Sequence, residues 1–314
     1  MANQFAENLN LDEIAIEVLE GFKRVLLPLN IFSKQFNNVP LKGTNKIVVP
    51  YYPLDDEDIQ DFEGSYEVES NTQTLSKEIL VDKRKFSKLS YTSEEKARMP
   101  NFDPQQLGRL KGENLAFKLI TDILSIVTAS NYGDVAFDPS QQNYSLANKI
   151  VVTPEAFDND DLIDLKTICT KSNWSFSGRS LILDGSLTNS LEKSWGNDGG
   201  AATHGFAPNA YNLNYGNKAS FKLIEANCIP DNNEKLLGFA VHPSAILLAT
   251  SPIKPDDALE KIIDYRIFPD PETGITIVYR EFADANNDKV NKVWELSYGY
   301  AVGETNAIKR IVSA

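Results

Sequence analysis

Residues 102–130 read FDPQQLGRLKGENLAFKLITDILSIVTAS, and this stretch predicts one long helix over Asp103–Ser130. Asp103 is placed to accept a backbone N–H as N-cap, Pro104 suits the first helical position, and Gln106 completes a capping box. Leu107, Leu110, Leu115, Leu119, Ile123 and Ile126 follow at helical spacing. A helix of about 25 residues is roughly 37 Å long, the width of a small domain. Gly108 and Gly112 lie on one side of it, each costing about 1 kcal/mol against alanine. A strand or a neighbouring chain is therefore expected to pass close to them. The half from Leu115 onward is expected to be buried.

Upstream, the charge pattern is segregated. Residues 54–69, LDDEDIQDFEGSYEVE, hold eight carboxylates, and no Lys or Arg occurs between Lys46 and Lys77. The sign reverses in KEILVDKRKFSKLSYT, residues 77–92, which alternates as a strand. Together with a strand at Lys46–Tyr52, whose Pro50 suggests an edge, this reads as an extended hairpin. So long an excursion from a compact chain implies a use. One reading is a solvated acidic loop. The other is an arm whose Asp55, Asp56, Glu57, Asp58 and Asp61 meet Lys83, Arg84, Lys85 and Lys88 of another copy, which would set register more than add affinity. Reversing Lys83, Arg84 and Lys85 to Glu is then expected to impair assembly and leave the subunit folded. Further upstream, Asn10 and Glu13 are spaced as a capping box, and Leu11, Ile14, Val18, Leu19, Phe22, Val25 and Leu26 form an apolar stripe ended by Pro28.

Downstream, NYGDVAFDPSQQNY marks a boundary, and helix and strand then alternate as in a mixed α/β layer. Helices are expected at Asp160–Lys171, Gly185–Lys193 and Pro243–Thr250. Strands are expected at Ser180–Leu183, Phe221–Ala226 and Leu237–Val241, with a Gly/Asn-rich loop over Trp195–Gly216. The end reads as a strand hairpin, Gly274–Glu281 and Lys292–Val302 around ADANNDKV, and a last strand at Ala307–Val312.

The chain has 314 residues and a net charge of −13, which disfavours a broad basic face gripping nucleic acid but not a container whose inner surface faces DNA. No apolar run approaches the ~20 residues of a membrane span, and the N-terminus lacks the features of a secretory signal. Cys169 and Cys228 are the only cysteines and His204 and His242 the only histidines. This argues against a disulfide scaffold and a cysteine zinc cluster. There is no G-x-S-x-G elbow, C-x-x-C pair, G-x-G-x-x-G or P-loop. Asp284, Asn286 and Asp288 have calcium-loop spacing, but Lys289 stands where the loop needs glycine, so a polar hairpin turn is expected. Trp174, Trp195 and Trp294 are dispersed and suit core or interface anchors. No cofactor and no metal are expected.

The order of parts resembles the major capsid proteins of tailed bacteriophages, with the Hong Kong 97-type fold. GTNKIVVPYYP resembles the strand entering the E-loop of that family, and KFSKLSYTSEEKAR the strand returning to its spine helix. SGRSLILD, FKLIEANCIP and LLGFAVHPSAILLAT resemble its A-domain segments, and TGITIVYREFADANNDKVNKVWELSYGYAVGETNAIKRI its C-terminal hairpin and last strand. The resemblance implies an α+β fold with an N-terminal arm (1–40), an E-loop hairpin with flanking strands (41–92) and the P-domain spine helix (93–150). An α/β A-domain (151–264) and the P-domain strand hairpin with the last strand (265–314) complete it. It also implies a non-enzymatic virion protein, made in the cytoplasm of a bacterial host. Such proteins assemble with themselves as hexamers and pentamers, with scaffolding, portal and decoration proteins as further partners, around double-stranded DNA. Some members crosslink subunits through an E-loop lysine; residues 54–76 contain none, so a noncovalent shell is expected. The alternatives are an encapsulin-like nanocompartment shell and, in another class, an α/β hydrolase using His204 or His242.

Overall fold

The computed structural model describes residues 18, 20–22, 25, 27–36, 45–52, 54, 75–92, 94, 104–197, 214–253, 262–269, 274–284 and 287–314. Among these, the strands form two six-stranded sheets and a two-stranded ribbon. The first sheet holds β1 (Ser33–Phe36), β4 (Lys83–Thr92), β10 (Ile246–Thr250), β11 (Ile262–Pro269), β12 (Thr276–Asp284) and β13 (Lys289–Val302). The second runs in the order β5 (Lys149–Val152), β14 (Ile308–Ser313), β9 (Leu236–Val241), β6 (Ser180–Leu183), β8 (Phe221–Glu225) and β7 (Asn214–Lys218). The ribbon pairs β2 (Lys46–Tyr51) with β3 (Leu75–Leu80), and Pro50 lies opposite Ser76 on this two-stranded edge. The mixture of helix and sheet is the α+β class expected.

The long helix, α1, spans Pro104–Leu124. It stops six residues short of the expected Ser130 because side-chain amides take its last carbonyls. Asn232 Nδ2 donates to Leu124 O at 3.0 Å and Val127 O at 2.7 Å, and Asn131 Nδ2 donates to Ile126 O at 2.7 Å. These groups would otherwise be orphaned at a helix end. The chain then makes one short turn of helix, α2 (Ala129–Tyr132). From Leu115 on, the expected face is buried: Leu115, Leu119, Ile120, Ile123 and Leu124 are at most 4 % exposed, whereas Leu110 is 50 % exposed. The neighbour that approaches the glycine is a helix of the same chain. A Cβ on Gly112 would overlap the Val18 carbonyl, and one on Gly21 would overlap the Arg109 carbonyl. Val18, Phe22 and Val25 are helical and buried, so these three residues of the stripe dock on their own subunit; Asn10, Leu11, Glu13, Ile14, Leu19 and Leu26 lie outside the described residues.

In the second sheet, α3 (Asn159–Lys171) starts at a capping box: the Asp158 side chain accepts from Asp160 N and Asp161 N, and Asp161 Oδ2 accepts from Asp158 N. Leu162, Leu165, Ile168 and Cys169 form its buried face, as their spacing predicts. Arg179 lies near its C-terminal end, where a cation is favoured, with its guanidinium donating to Thr170 Oγ1, Trp174 O and Ser175 O. Helix α4 (Gly185–Asn197) follows β6.

Another expectation changes. Pro243–Thr250 is not a helix. Pro243 and Ser244 belong to a turn, closed by Ala245 N donating to His242 O at 3.0 Å, and Ile246–Thr250 is a strand buried at every residue. A short apolar run fits a helix or a two-faced central strand equally by pattern. The environment decides: Ile246 and Leu248 enter the helix-side core, while Leu247 and Ala249 pack against Ile47, Val49 and Ile79 of the ribbon. The last strand lies in the second sheet, parallel to β5 and antiparallel to β9.

The chain crosses between these sheets three times, through α1 between β4 and β5, after β9 and before β14, and the last two crossings are stitched together. His242 N donates to Ala307 O, Gly303 N to Ala245 O and Glu304 N to Ser244 O, at 2.9–3.0 Å. One core spans both sheets, joining Ile182, Ile224 and Phe239 to Leu248, Leu296 and Tyr298 around α1. The buried Arg310 of β14 fastens the far end: it pairs with Glu234 and donates to Gly133 O, while Glu234 Oε1 accepts from Ala129 N at 2.5 Å, the first residue of α2.

Candidate interaction surface

Strand β4 carries the four basic residues singled out by the sequence. It pairs along its length with β13, from Lys83↔Tyr298 to Thr92↔Lys289. Its residues alternate between half-buried and exposed. The pleat therefore sends Lys83 and Lys85 to one face and Arg84, Phe86 and Lys88 to the other.

Lys83 is held within its own chain. Its ammonium donates to Asp122 Oδ2 at 3.2 Å and to the Tyr300 hydroxyl at 2.5 Å, and lies 4.1 Å from the Tyr300 ring centre. Tyr298 also donates to Asp122 Oδ2, at 2.7 Å. Asp122 sits in the last turn of α1, where the helix dipole disfavours an anion, and this cluster offsets that. Burial penalises the Asp122 charge, but the hydrogen bonds from Tyr298 and Lys83 outweigh it and hold the carboxyl below the usual range. Burial likewise opposes the Lys83 charge, and its bonds to Tyr300 and Asp122 outweigh that and raise its pKa.

Arg84 is also engaged. Its Nε donates to Glu295 Oε2 at 2.8 Å, and Arg280 grips the other carboxylate oxygen. The Glu295 side chain is 2 % exposed. β-register explains the meeting: Phe86 and Val278 flank Glu295, which puts Arg84 and Arg280 on diagonal neighbours of the same face. Lys88 is exposed; its carbonyl accepts from Lys111 Nζ at 2.7 Å, and its ammonium lies 5.9 Å from the Phe282 ring centre. Lys85 is half-buried beside an open groove between β4 and α1. Asp55, Asp56, Glu57, Asp58 and Asp61 lie outside the described residues. Reading the sequence missed Asp122, Glu295, Arg280 and the two tyrosines. A hairpin register for β12 and β13 was the one signal that could have placed Arg280 beside Glu295.

The residues weighed for catalysis and metal binding have structural surroundings. His242 Nδ1 lies 3.1 Å from Ser244 Oγ. Burial, and then the nearby Arg179 cation, depress the His242 pKa, so the ring is neutral; the charge bearing on it is not the carboxylate that would orient a general base. His204 lies outside the described residues. Burial pushes the Cys169 thiol up to about 12 and the Cys228 thiol up to about 11, and a protonated thiol is a poor nucleophile. Asp284 Oδ2 accepts from Asn287 Nδ2 at 2.6 Å in the β12–β13 turn. Among the described residues no three His, Cys, Asp or Glu side chains cluster to hold a metal, and no helix is long and apolar enough to cross a membrane.

No protein-family model matches the sequence, and no curated protein matches it at a significant level. Solved structures do. The chain is similar to the capsid structure of the cyanophage P-SCSP1u with a TM-score of 0.56 and 11 % identity, over 92 % of this chain and 88 % of that one. The capsid of Ralstonia phage GP4 matches with a TM-score of 0.54 and 11 % identity, over 90 % and 86 % of the two chains. The virus-like particle from Pyrococcus furiosus matches with a TM-score of 0.50 and 11 % identity, over 96 % and 98 %. The fold is therefore one found in phage capsid structures.

Proposed function

We propose that this chain is the subunit of a noncovalent icosahedral shell of the tailed-phage type. Copies group as hexamers and pentamers and enclose a double-stranded DNA genome without reading its sequence. The observation that supports this best is the agreement of fold across nearly the whole of both chains, 92 % of this one and 88 % of the cyanophage capsid chain. In this reading the N-terminal residues to 40 are the arm, and the β2–β3 ribbon is the stem of the E-loop within 41–92. Helix α1 is the spine within 93–150. The A-domain covers 151–264, and the P-domain hairpin and last strand follow over 265–314. The role is mechanical and needs neither catalysis nor cofactor. Synthesis takes place in a bacterial host, the product is a virion component, and scaffolding, portal and decoration proteins are its further partners. The acidic segment and the basic strand set subunit register.

Electron microscopy of the purified chain tests the reading. Rings or closed shells are expected, and a chain that stays monomeric at every concentration would overturn it. The likeness to the Pyrococcus furiosus virus-like particle supports a second reading, a nanocompartment shell with protein cargo. Nucleic acid within natively produced particles favours the genome container, and co-purifying enzyme without nucleic acid favours the compartment.

A further inference from the structure

His242 opens the turn through which the chain leaves the second sheet for the first. Its N–H donates to Ala307 O at 3.0 Å, and its carbonyl accepts from Ala245 N at 3.0 Å. The later crossing, before β14, is bound to the same turn through Gly303 N and Glu304 N, each 2.9 Å from its acceptor. The imidazole is half-buried, with Nδ1 3.1 Å from Ser244 Oγ and the Trp174 ring centre 6.1 Å away.

Register sets a buried cation against this ring. Ser180 pairs with Val241 in the β6–β9 ladder, so Arg179 stands opposite His242, one step further on. Leu181, Ala240 and Ile311 face the α3 side of the second sheet, in one cluster with Leu165 and Cys169. Arg179, His242 and Lys309 each lie two residues from one of these and share that face. Arg179 is 2 % exposed and Lys309 1 %.

Among the described residues, the elements packed around the ring hold no carboxylate committed to it. In α3, Cys169 is a thiol kept protonated by burial, and Lys166 and Lys171 add only positive charge. Asp160, Asp161 and Asp164 lie in the first half of that helix, away from Cys169. The Glu304 carboxylate, in the later crossing, accepts from Asn306 N at 3.2 Å. The Trp174 ring stands at the outer limit of a cation–π contact.

We propose that His242 makes the joint between the two sheets acid-sensitive: a proton on its ring sets a second cation opposite Arg179, and the 242–245 turn lets go of the crossing that leads to β14. Burial and then Arg179 hold the ring's pKa below its ordinary value. The joint is therefore at full strength above the unfolded value, about 6.5, and weakens as pH falls toward the folded one. It is a property of the single chain and neither needs the shell reading nor falls with it.

The full chain and its His242→Gln variant, which cannot take up the proton, test this. Between about pH 7.5 and about pH 5, the thermal midpoint of the unmodified chain is expected to fall about 2–4 °C further than that of the variant. Amide exchange at Gly303 and Glu304 is expected to be equal in the two at the higher pH and about tenfold faster in the unmodified chain at the lower one. The chain has two histidines, so the imidazole NMR signal missing from the variant belongs to His242, and it should titrate below about 6.5. Parallel thermal profiles, a ring that titrates at or above that value, or added exchange spread evenly over the chain would each overturn the inference. Should His242→Gln not fold, His204→Gln leaves His242 as the single histidine, and its titration together with exchange at Gly303 and Glu304 decides.

Discussion

Lys83, the first residue of β4, reaches across to Asp122 in the last turn of α1, 3.2 Å from ammonium to carboxylate. This contact ties the root of the hairpin to the long helix. Asp122→Asn is expected to lower stability at pH 7 by on the order of 1–2 kcal/mol, the net worth of hydrogen bonds to a charged group. The carboxyl titrates below its ordinary value in the folded state. Its contribution is therefore present above the unfolded pKa, near 4, and is lost as pH falls through the folded one. Urea denaturation over a falling pH series checks this: the gap between the variant and the unmodified chain should close as the folded carboxyl protonates.

Glu295 and Arg280 are both nearly sealed, their side chains 2 % and 5 % exposed. Arg280→Ala leaves a nearly sealed carboxylate facing Arg84 alone, and is expected to cost about 3–5 kcal/mol. The double change Arg280→Met with Glu295→Met is expected to cost far less, because neither charge is then stranded. Chemical denaturation of both variants makes the comparison, and equal losses would refute it.

Gly112→Ala sets two effects against each other. Helix propensity alone predicts a gain of about 1 kcal/mol. The Val18 carbonyl occupies the space a Cβ needs, and overpacking of this type costs about 1–3 kcal/mol. A net loss in thermal stability is expected, with the N-terminal helix loosened as seen by faster amide exchange at Phe22.

Residues 54–76 hold no lysine, so assembled particles boiled in SDS are expected to run as one band near 35.0 kDa. A ladder of multiples would show a crosslink from elsewhere in the chain.

Legibility followed the range over which each feature is determined. The start and buried face of α3 lie within a dozen residues of sequence and were readable from Leu162, Leu165, Ile168 and Cys169. The end of α1 was not, because the amide that caps Leu124 belongs to Asn232, 108 residues later. The run at Ile246–Thr250 was misread because its strand character comes from β1 and β13 on either side. The same limit governs the surface. The basic strand was visible, but Lys83 and Arg84 looked free because Tyr300 and Glu295 lie 217 and 211 residues away. The reversal of Lys83, Arg84 and Lys85 is therefore expected to weaken the subunit's own fold, through Asp122 and Glu295.

The position of β14 has a consequence for synthesis. Its residues 308–313 complete the second sheet between β5 and β9, pairing with residues made about 160 positions earlier. While the nascent chain is short of that point, β5 and β9 both present unpaired edges, the kind that recruits wrong neighbours. Subunits truncated by premature termination or clipping before Ile308 should then be unable to close that sheet and should go to aggregation or proteolysis before they reach a growing particle.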